Sequence, residues 1–201
     1  MRLGIFGGSF DPPHVGHLLA ASDAFELLEL DRLLFIPAAV QPFKKYELEG
    51  SAAQRLAMVE LMIAGDSRFA ADPVEIDRKG LSFTVDTLGM LAAREPGARR
   101  FLLIGEDLAG EIATWRDARR IAELAEVVVL SRTSEESGDG GVGGDPERVP
   151  LTRIATRRIE ISSTEIRARV LAGKSIHGFV TEAVAGFIEA AGLYRHRGKT
   201  C

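Results

Sequence analysis

The chain has 201 residues, of which 46% are hydrophobic and 27% charged, a composition typical of globular proteins that excludes a disordered chain or a collagen-like fibre. Its formal net charge of -4 at pH 7 argues against a nucleic-acid partner. The single cysteine, Cys201, permits no intramolecular disulfide, and no apolar run approaches the ~20 residues that span a bilayer, so we expect a reducing, cytoplasmic setting and no membrane partner.

Short apolar runs and longer amphipathic stretches predict a series of strands and helices. In the first half these are strand 3–6, helix 15–30, strand 33–36, helix 51–64, strand 74–77 and helix 84–94. In the second half they are strand 101–104, helical segments within 108–124, strand 127–130, strand 159–161 and helices 163–172 and 181–191. Ser51 and Gln54 have the spacing of a capping box, and Gly192 is the natural stop of the last helix.

Strands that alternate with helices predict an α/β fold. We expect a doubly wound, mainly parallel, Rossmann-like sheet with helices on both faces and a helical C-terminal segment. Residues 1–194 are expected to form a single domain, and residues 195–201 a frayed tail. Ligands of such sheets bind beyond the carboxyl ends of the strands, so the functional residues are expected in the loops that follow the strands.

One stretch of low hydrophobicity, residues 134–147, contains five glycines and five acidic residues. It cannot bury enough surface to order itself and predicts a mobile surface loop. Residues 138–143 match the pattern G-x-G-x-x-G. The dinucleotide-binding motif needs a strand before it and a helix directly after it, and neither is predicted here, so we interpret the match as coincidental.

The most informative motif follows the first predicted strand and reads G-G-S-F-D-P-P-H-V-G-H over residues 7–17. Adjacent glycines, Gly7 and Gly8, let backbone amides approach a phosphate closely. His14 and His17 share one face of the first turn of the predicted helix, where free amides and the helix dipole favour an anion. Gly16 lies between them and leaves room for a flat group, such as a base.

Taken alone, this motif also fits a glycine turn with two structural histidines, or a metal site that lacks an obvious third ligand. A second pattern, I-S-S-T-E-I-R over residues 161–167, places hydroxyls and free amides at a helix start, with Arg167 one turn later. That arrangement suits a polyphosphate, although alone it also fits an ordinary helix cap followed by a surface arginine. Together the two patterns favour a nucleotide-phosphate site.

Residues 7–17 resemble the phosphate-binding signature of the nucleotidyltransferase superfamily with the H-x-G-H motif, and residues 161–167 resemble its second signature. Class I aminoacyl-tRNA synthetases share a related form of the first. Three further segments resemble the bacterial nicotinate-nucleotide adenylyltransferases: residues 81–88, residues 104–107 with Trp115 beyond them, and residues 187–194. The resemblance covers nearly the whole chain apart from residues 134–147.

This resemblance implies adenylyl transfer from ATP to nicotinate mononucleotide in NAD biosynthesis, with magnesium carried by ATP, its waters held by Asp11 or Asp107, and no metal held by the protein alone. The implied catalytic residues are His14, His17, Lys44 and Arg167. The implied ATP-binding residues are Gly7, Gly8, Ser9, Phe10, Gly16, Gly105, Ile161, Ser162, Ser163 and Thr164. The implied acceptor-binding residues are Ser82, Phe83, Thr84, Asp107, Trp115 and Arg132.

The chain departs from the family pattern after the second predicted strand. The family commonly has P-P-H-K there, whereas this chain has Phe43 at the histidine position, followed by Lys44. Phe43 cannot donate to a phosphate, so one ATP contact is in doubt, while Lys44 keeps the cation. Arg132 follows a strand, as a phosphate-binding arginine does in the family. The other late arginines are interpreted as a solvated face: Arg153, Arg157, Arg158 and Arg169.

Several alternatives remain open. Nicotinamide mononucleotide or phosphopantetheine would be acceptors for the same chemistry, although phosphopantetheine enzymes usually lack the segments of Thr84 and Trp115. Phe43 is the only feature of the sequence that favours a catalytically inactive nucleotide-binding regulator. A fragment of a tRNA ligase is disfavoured by the acidic net charge. The oligomeric state is left open, with a homodimer as one alternative.

Overall fold

Parallel strands form the centre of the molecule. The computed structural model describes residues 1–40, 48–131, 149–157 and 159–195. Within these ranges a 6-stranded parallel sheet has the order β3-β2-β1-β4-β5-β6. Its strands are β1 (Arg2–Gly8), β2 (Arg32–Pro37), β3 (Phe69–Ala71), β4 (Arg99–Gly105), β5 (Glu126–Ser131) and β6 (Leu151–Ala155). Because β1 and β4 are neighbours, the chain winds outward from them in both directions, which confirms the predicted doubly wound fold.

Helices cover both faces of this sheet. The described helices are α1 (Val15–Leu27), α2 (Ala52–Ile63), α3 (Val74–Arg78), α4 (Thr84–Arg94), α5 (Glu106–Ala109), α6 (Ala118–Leu124), α7 (Ser163–Leu171) and α8 (Glu182–Ala190), with a 3-10 turn at Ile112–Thr114. The predicted capping box of α2 is confirmed, because the Gln54 N–H donates to Ser51 Oγ and the Ser51 N–H donates to Gln54 Oε1. Gly192 follows α8 with φ +62°, as the predicted helix stop requires. None of the helices in the described ranges is long and apolar enough to cross a membrane.

Alternate residues of the strands supply two separate cores. Leu33 and Phe35 pack into one core with apolar residues of α1, α2, α7 and α8. Leu34 and Ile36 pack into the other with residues of α3, α4 and α6. Strands buried on both faces read as continuous apolar runs, which is why the sequence identified the central strands.

Two predicted strands are wrong. Residues 74–77 belong to α3, because the Val74 N–H donates to Asp72 Oδ1 and Pro73 precedes the first turn, a combination that starts a helix. The neighbouring strand is the three-residue β3, too short to give a pattern. Residues 159–161 lie outside any strand, and the edge of the sheet is β6, which pairs with β5.

The helical segments predicted within 108–124 are confirmed as α5, the 3-10 turn and α6. Asp117, the residue before α6, has φ 51°, and this left-handed backbone interrupts the helical path. The interruption leaves Trp115 in an extended conformation between two short helices. The predicted loop 134–147 and all but the first residue of the predicted tail lie outside the described residues.

Candidate active site

A cleft of about 1330 Å³ opens at the carboxyl ends of β1 and β4, where the strand order reverses. This is where doubly wound sheets bind ligands. Every predicted site residue within the described ranges lines the cleft: Gly7, Gly8, Ser9, Phe10, His14, Gly16, His17, Ser82, Phe83, Thr84, Gly105, Asp107, Trp115, Ile161, Ser162, Ser163, Thr164 and Arg167. The predictions for Lys44 and Arg132, and the departure at Phe43, fall outside the described residues.

The loop between β1 and α1, residues 9–14, is called here the histidine loop. Phe10, at its start, has φ 50° and is 1% exposed. Its ring packs edge-on against Phe6, with 5.9 Å between the ring centroids. A Cβ added to Gly8 would lie 2.9 Å from this ring, whereas one added to Gly7 would meet nothing. Gly8 therefore makes room for Phe10 beneath the loop, and Gly7 leaves the backbone open to the cleft.

The two histidines form a stacked pair at the start of α1. Their ring centroids are 3.7 Å apart, and the His14 backbone N–H donates to His17 Nδ1 at 3.2 Å. Because Nδ1 of His17 accepts, the proton of the neutral ring lies on Nε2. Phe10 packs against the edge of the same ring, at 5.0 Å between centroids. Packing and hydrogen bonding thus orient the His17 ring in advance of any ligand.

Gly16 lies against the His14 ring and also lines the cleft. A Cβ added to Gly16 would lie 2.9 Å from His14 Nδ1 and 3.6 Å from a methyl group of Ile159. The space that the sequence suggested for a base is therefore filled, on this side, by the ring of His14 and by Ile159. The glycine lets that ring lie flat against α1.

The N-terminus of α7 is joined to the histidine loop by side chains of the second signature. Ser163 Oγ donates to the Pro12 carbonyl at 2.8 Å, and Arg167 Nη1 donates to the Asp11 carbonyl at 2.7 Å. Ser162 caps α7 by accepting the Glu165 N–H at 3.1 Å. The bonded residues are more than 150 positions apart in the chain, and these bonds bring the two signatures to one side of the cleft. Hydroxyls, free helix amides and a guanidinium there form a set of donors for a polyphosphate.

The other part of the cleft lies at the N-terminus of α4. Ser82 is held there, because its Oγ accepts the Ala39 N–H at 2.9 Å and its own N–H donates to the Val40 carbonyl. Helix α4 begins at Thr84, and the first amides of a helix have no partners within it, so they favour an anion such as a carboxylate. Trp115 is half-buried against the second core and also lines the cleft.

Sequence reasoning missed several polar residues of the cleft. The Cζ atom of Arg116 lies 4.8 Å from the centroid of the Phe83 ring, and Arg116 lines the cleft. Its position next to Trp115 was the feature of the sequence that could have identified it. Arg157 is exposed, as the solvated-face interpretation predicts, with 59% of its side chain accessible, but its backbone N–H and Nε also donate to the carboxylate of Asp23 on α1. No local pattern could have indicated that pair, because 134 residues separate its members.

Asp11 and Asp107 are two of the acidic residues that line the cleft. Among the residues that the structure describes, no group of three or more His, Cys, Asp or Glu side chains could hold a metal ion. The Asp11 carboxylate accepts from the N–H groups of Glu49 and Gly50 and from Tyr194 Oη. A Cβ added to Gly105 would come into contact with Asp107 Oδ1, so the Asp107 carboxylate lies close against this glycine. Neither acid is arranged with others as a resident metal site.

Several known proteins are similar to this chain in sequence or in fold. The cytidylyltransferase-like family profile matches residues 5–169. A probable nicotinate-nucleotide adenylyltransferase of Gemmatimonas aurantiaca is 49% identical over 198 residues, which cover 97% of this chain and 93% of that protein. One from Thermus thermophilus is 41% identical over 97% of this chain and 100% of its own length. The fold resembles that of the Plasmodium falciparum nicotinic acid mononucleotide adenylyltransferase complexed with NaAD, with a TM-score of 0.74, 18% identity and 98% coverage of both chains.

Proposed function

This chain belongs to the cytidylyltransferase-like family and, within it, to the nicotinate-nucleotide adenylyltransferases, and we propose that it transfers the adenylyl group of ATP to nicotinate mononucleotide. The products are nicotinate adenine dinucleotide and pyrophosphate. One observation carries the proposal beyond the family: α7 is bonded to the histidine loop through Ser163 and Arg167, so that both phosphate signatures face one cleft.

The reaction needs no base from the protein. The phosphate of the acceptor attacks the α-phosphorus of ATP, the bond from that phosphorus to the bridging oxygen breaks, and pyrophosphate leaves with the electron pair. A phosphate monoester has a second pKa of about 6, so the nucleophile is already ionised at neutral pH. Catalysis then consists of positioning and of charge stabilisation in the transition state.

The cleft residues divide this work between them. His14 and His17 donate to the triphosphate and to the α-phosphoryl group as charge develops there. Arg167, together with Lys44, neutralises the departing pyrophosphate. Backbone amides of Gly7 and Gly8, and the N-terminus of α7 with Ser163 and Thr164, supply further donors to ATP. Magnesium carried by ATP would offset the charge of the phosphates, and no protein metal cage is required.

The acceptor occupies the half of the cleft between α4 and Trp115. The amides at the start of α4, beginning at Thr84, face the pyridine carboxylate, and the Trp115 ring stacks on the pyridine. Negative charge on both substrates agrees with a site built of helix N-termini and cations. The single cysteine supports a cytoplasmic setting.

We expect Trp115→Ala to raise the KM for nicotinate mononucleotide about tenfold, because stacking on an aromatic ring contributes roughly 1–3 kcal/mol. The KM for ATP should stay within about twofold, and Trp115→Phe should recover most of the loss. Steady-state kinetics with each substrate varied in turn measures both constants. A similar rise in the two KM values would show that Trp115 only packs against the core.

The proposed function is tested by pyrophosphate release from ATP and magnesium with three acceptors: nicotinate mononucleotide, nicotinamide mononucleotide and phosphopantetheine. Release with nicotinate mononucleotide at a kcat/KM far above the other two is the expected result. Preference for another acceptor would overturn the substrate assignment. ATP binding without release in all three reactions would favour the inactive regulator, with Phe43 as the residue to revert to histidine.

A further inference from the structure

The histidine loop contains a buried carboxylate that the proposed chemistry does not use. Asp11 is 2% exposed. Its Oδ1 accepts the Gly50 N–H at 3.0 Å and Tyr194 Oη at 2.7 Å, and its Oδ2 accepts the Glu49 N–H at 2.9 Å. A buried carboxylate with three donors fixes the chain on both sides of it, because each donor that is lost removes a charge-assisted hydrogen bond that water does not replace in a buried site. Asp11 therefore joins the loop to residues 49–50 and to the C-terminal segment.

Tyr194, beyond the end of α8, is held in an uncommon conformation. Its φ is +63°, in the left-handed region that a large aromatic residue rarely adopts, yet it is 4% exposed. Burial and the neighbouring Asp11 carboxylate raise the pKa of Tyr194 well above its usual range, so the hydroxyl keeps its proton and donates. Residues before α8 make a second bond next to the histidine loop, because the Val15 N–H at the start of α1 donates to the Phe179 carbonyl at 3.0 Å.

Tyr194 is linked to Arg167 through Asp11, which it bonds directly, and through Glu49, whose N–H donates to Asp11. Nη1 of Arg167 donates to the Asp11 backbone carbonyl at 2.7 Å, and its Nε lies 3.2 Å from the Glu49 carboxylate. Both anchors of the guanidinium thus belong to residues whose positions depend on the Asp11 side chain. Tyr194 itself is not part of the cleft lining.

We propose that Tyr194 is a positioning residue, whose hydroxyl sets the place of Arg167 in the phosphate site by fixing Asp11 and Glu49. The inference rests on the proposed function in assigning Arg167 to the pyrophosphate portion of ATP. The C-terminal segment thereby completes a site whose signatures lie elsewhere in the chain.

The test removes one oxygen, with Tyr194→Phe, and measures calorimetrically the binding of inorganic pyrophosphate in the presence of magnesium. The variant is expected to bind pyrophosphate about fivefold more weakly and to lower kcat about tenfold, with the acceptor KM within twofold. In an Arg167→Ala background the same change should weaken binding less than twofold, because residues that act through each other are not additive. Ile188→Val, a 2% exposed position on α8, is the matched control: it should lower the melting temperature and leave binding and kcat unchanged.

Equal losses of pyrophosphate affinity in both backgrounds, or no loss in either, would overturn the inference. A separate measurement tests the proposed function, which fails if the protein without substitutions releases no pyrophosphate from ATP with nicotinate mononucleotide. The calorimetric experiment needs no turnover and therefore decides the role of Tyr194 in either case.

Discussion

His17→Ala is expected to lower kcat by roughly 10²–10³-fold, about 2.7–4 kcal/mol of transition-state stabilisation, the effect of removing one preorganised donor. The structure gives the reason for preorganisation. Nδ1 of His17 is occupied by the His14 N–H, and Phe10 and Phe6 pack against the ring at 5.0 and 6.0 Å between centroids. We therefore expect the Nε2–H to be the donor for the α-phosphoryl group, and it needs no reorientation when charge develops.

Two further variants locate the donor within the ring. The side-chain nitrogen of glutamine reaches the place of Nε2, so His17→Gln should recover about tenfold of the lost rate. The nitrogen of asparagine reaches only the place of Nδ1, so His17→Asn should be as slow as His17→Ala.

The control for these rate measurements is His177→Ala, which removes an exposed histidine paired with Glu182 at 2.8 Å. Its kcat should equal that of the unchanged protein. A loss below fivefold for His17→Ala would contradict the assigned role.

Arg55→Met is expected to lower the free energy of unfolding by about 3–5 kcal/mol, because three carbonyls lose a charged donor and each acceptor left unsatisfied costs roughly 1–3 kcal/mol. Arg55 is 1% exposed on α2, and its guanidinium donates to the carbonyls of Ser9, Ala39 and Gly50 at 2.8, 3.3 and 3.1 Å. Burial lowers the pKa of Arg55, while the Asp11 carboxylate acts in the opposite direction. Without the guanidinium, three carbonyls lose their donor and the Asp11 carboxylate loses a nearby positive charge.

Urea unfolding of Arg55→Met should show a lower midpoint with an unchanged slope, and a melting temperature lower by on the order of 10 °C. Arg100→Met is the matched control, because Arg100 also donates to two backbone carbonyls, of Leu124 and Glu95, but is only partly buried. We expect it to lower the free energy of unfolding by about 1 kcal/mol, the contribution of a typical hydrogen bond. Arg55→Lys should fall between the two, since it keeps the charge and loses the planar fork. A smaller loss for Arg55→Met than for Arg100→Met would refute the proposed contribution of this network.

The predictions that failed show where local patterns stop being informative. Residues 74–77 alternate as a strand does, yet the Asp72–Pro73 pair starts a helix there, and four residues cannot distinguish the two periods. The edge strands β3 and β6 are short and partly exposed, so they lack the continuous apolar run that identified β1, β2, β4 and β5. The helical pattern over 108–124 is confirmed, but where it divides into short helices follows from the left-handed backbone at Asp117, which no residue type there required.

Local patterns in the sequence are enough to predict the doubly wound sheet and the residues that line the cleft. Buried strands, helix caps and the spacing of His14 and His17 are read from neighbouring residues, and parallel strands must end at one edge. The contacts that hold those residues in place are visible only in the folded chain. Asp11 and Tyr194 are 183 positions apart, and Asp11 and Arg167 are 156 apart. Such bonds follow from the path of the chain through the whole sheet, and no period or motif of the sequence records them.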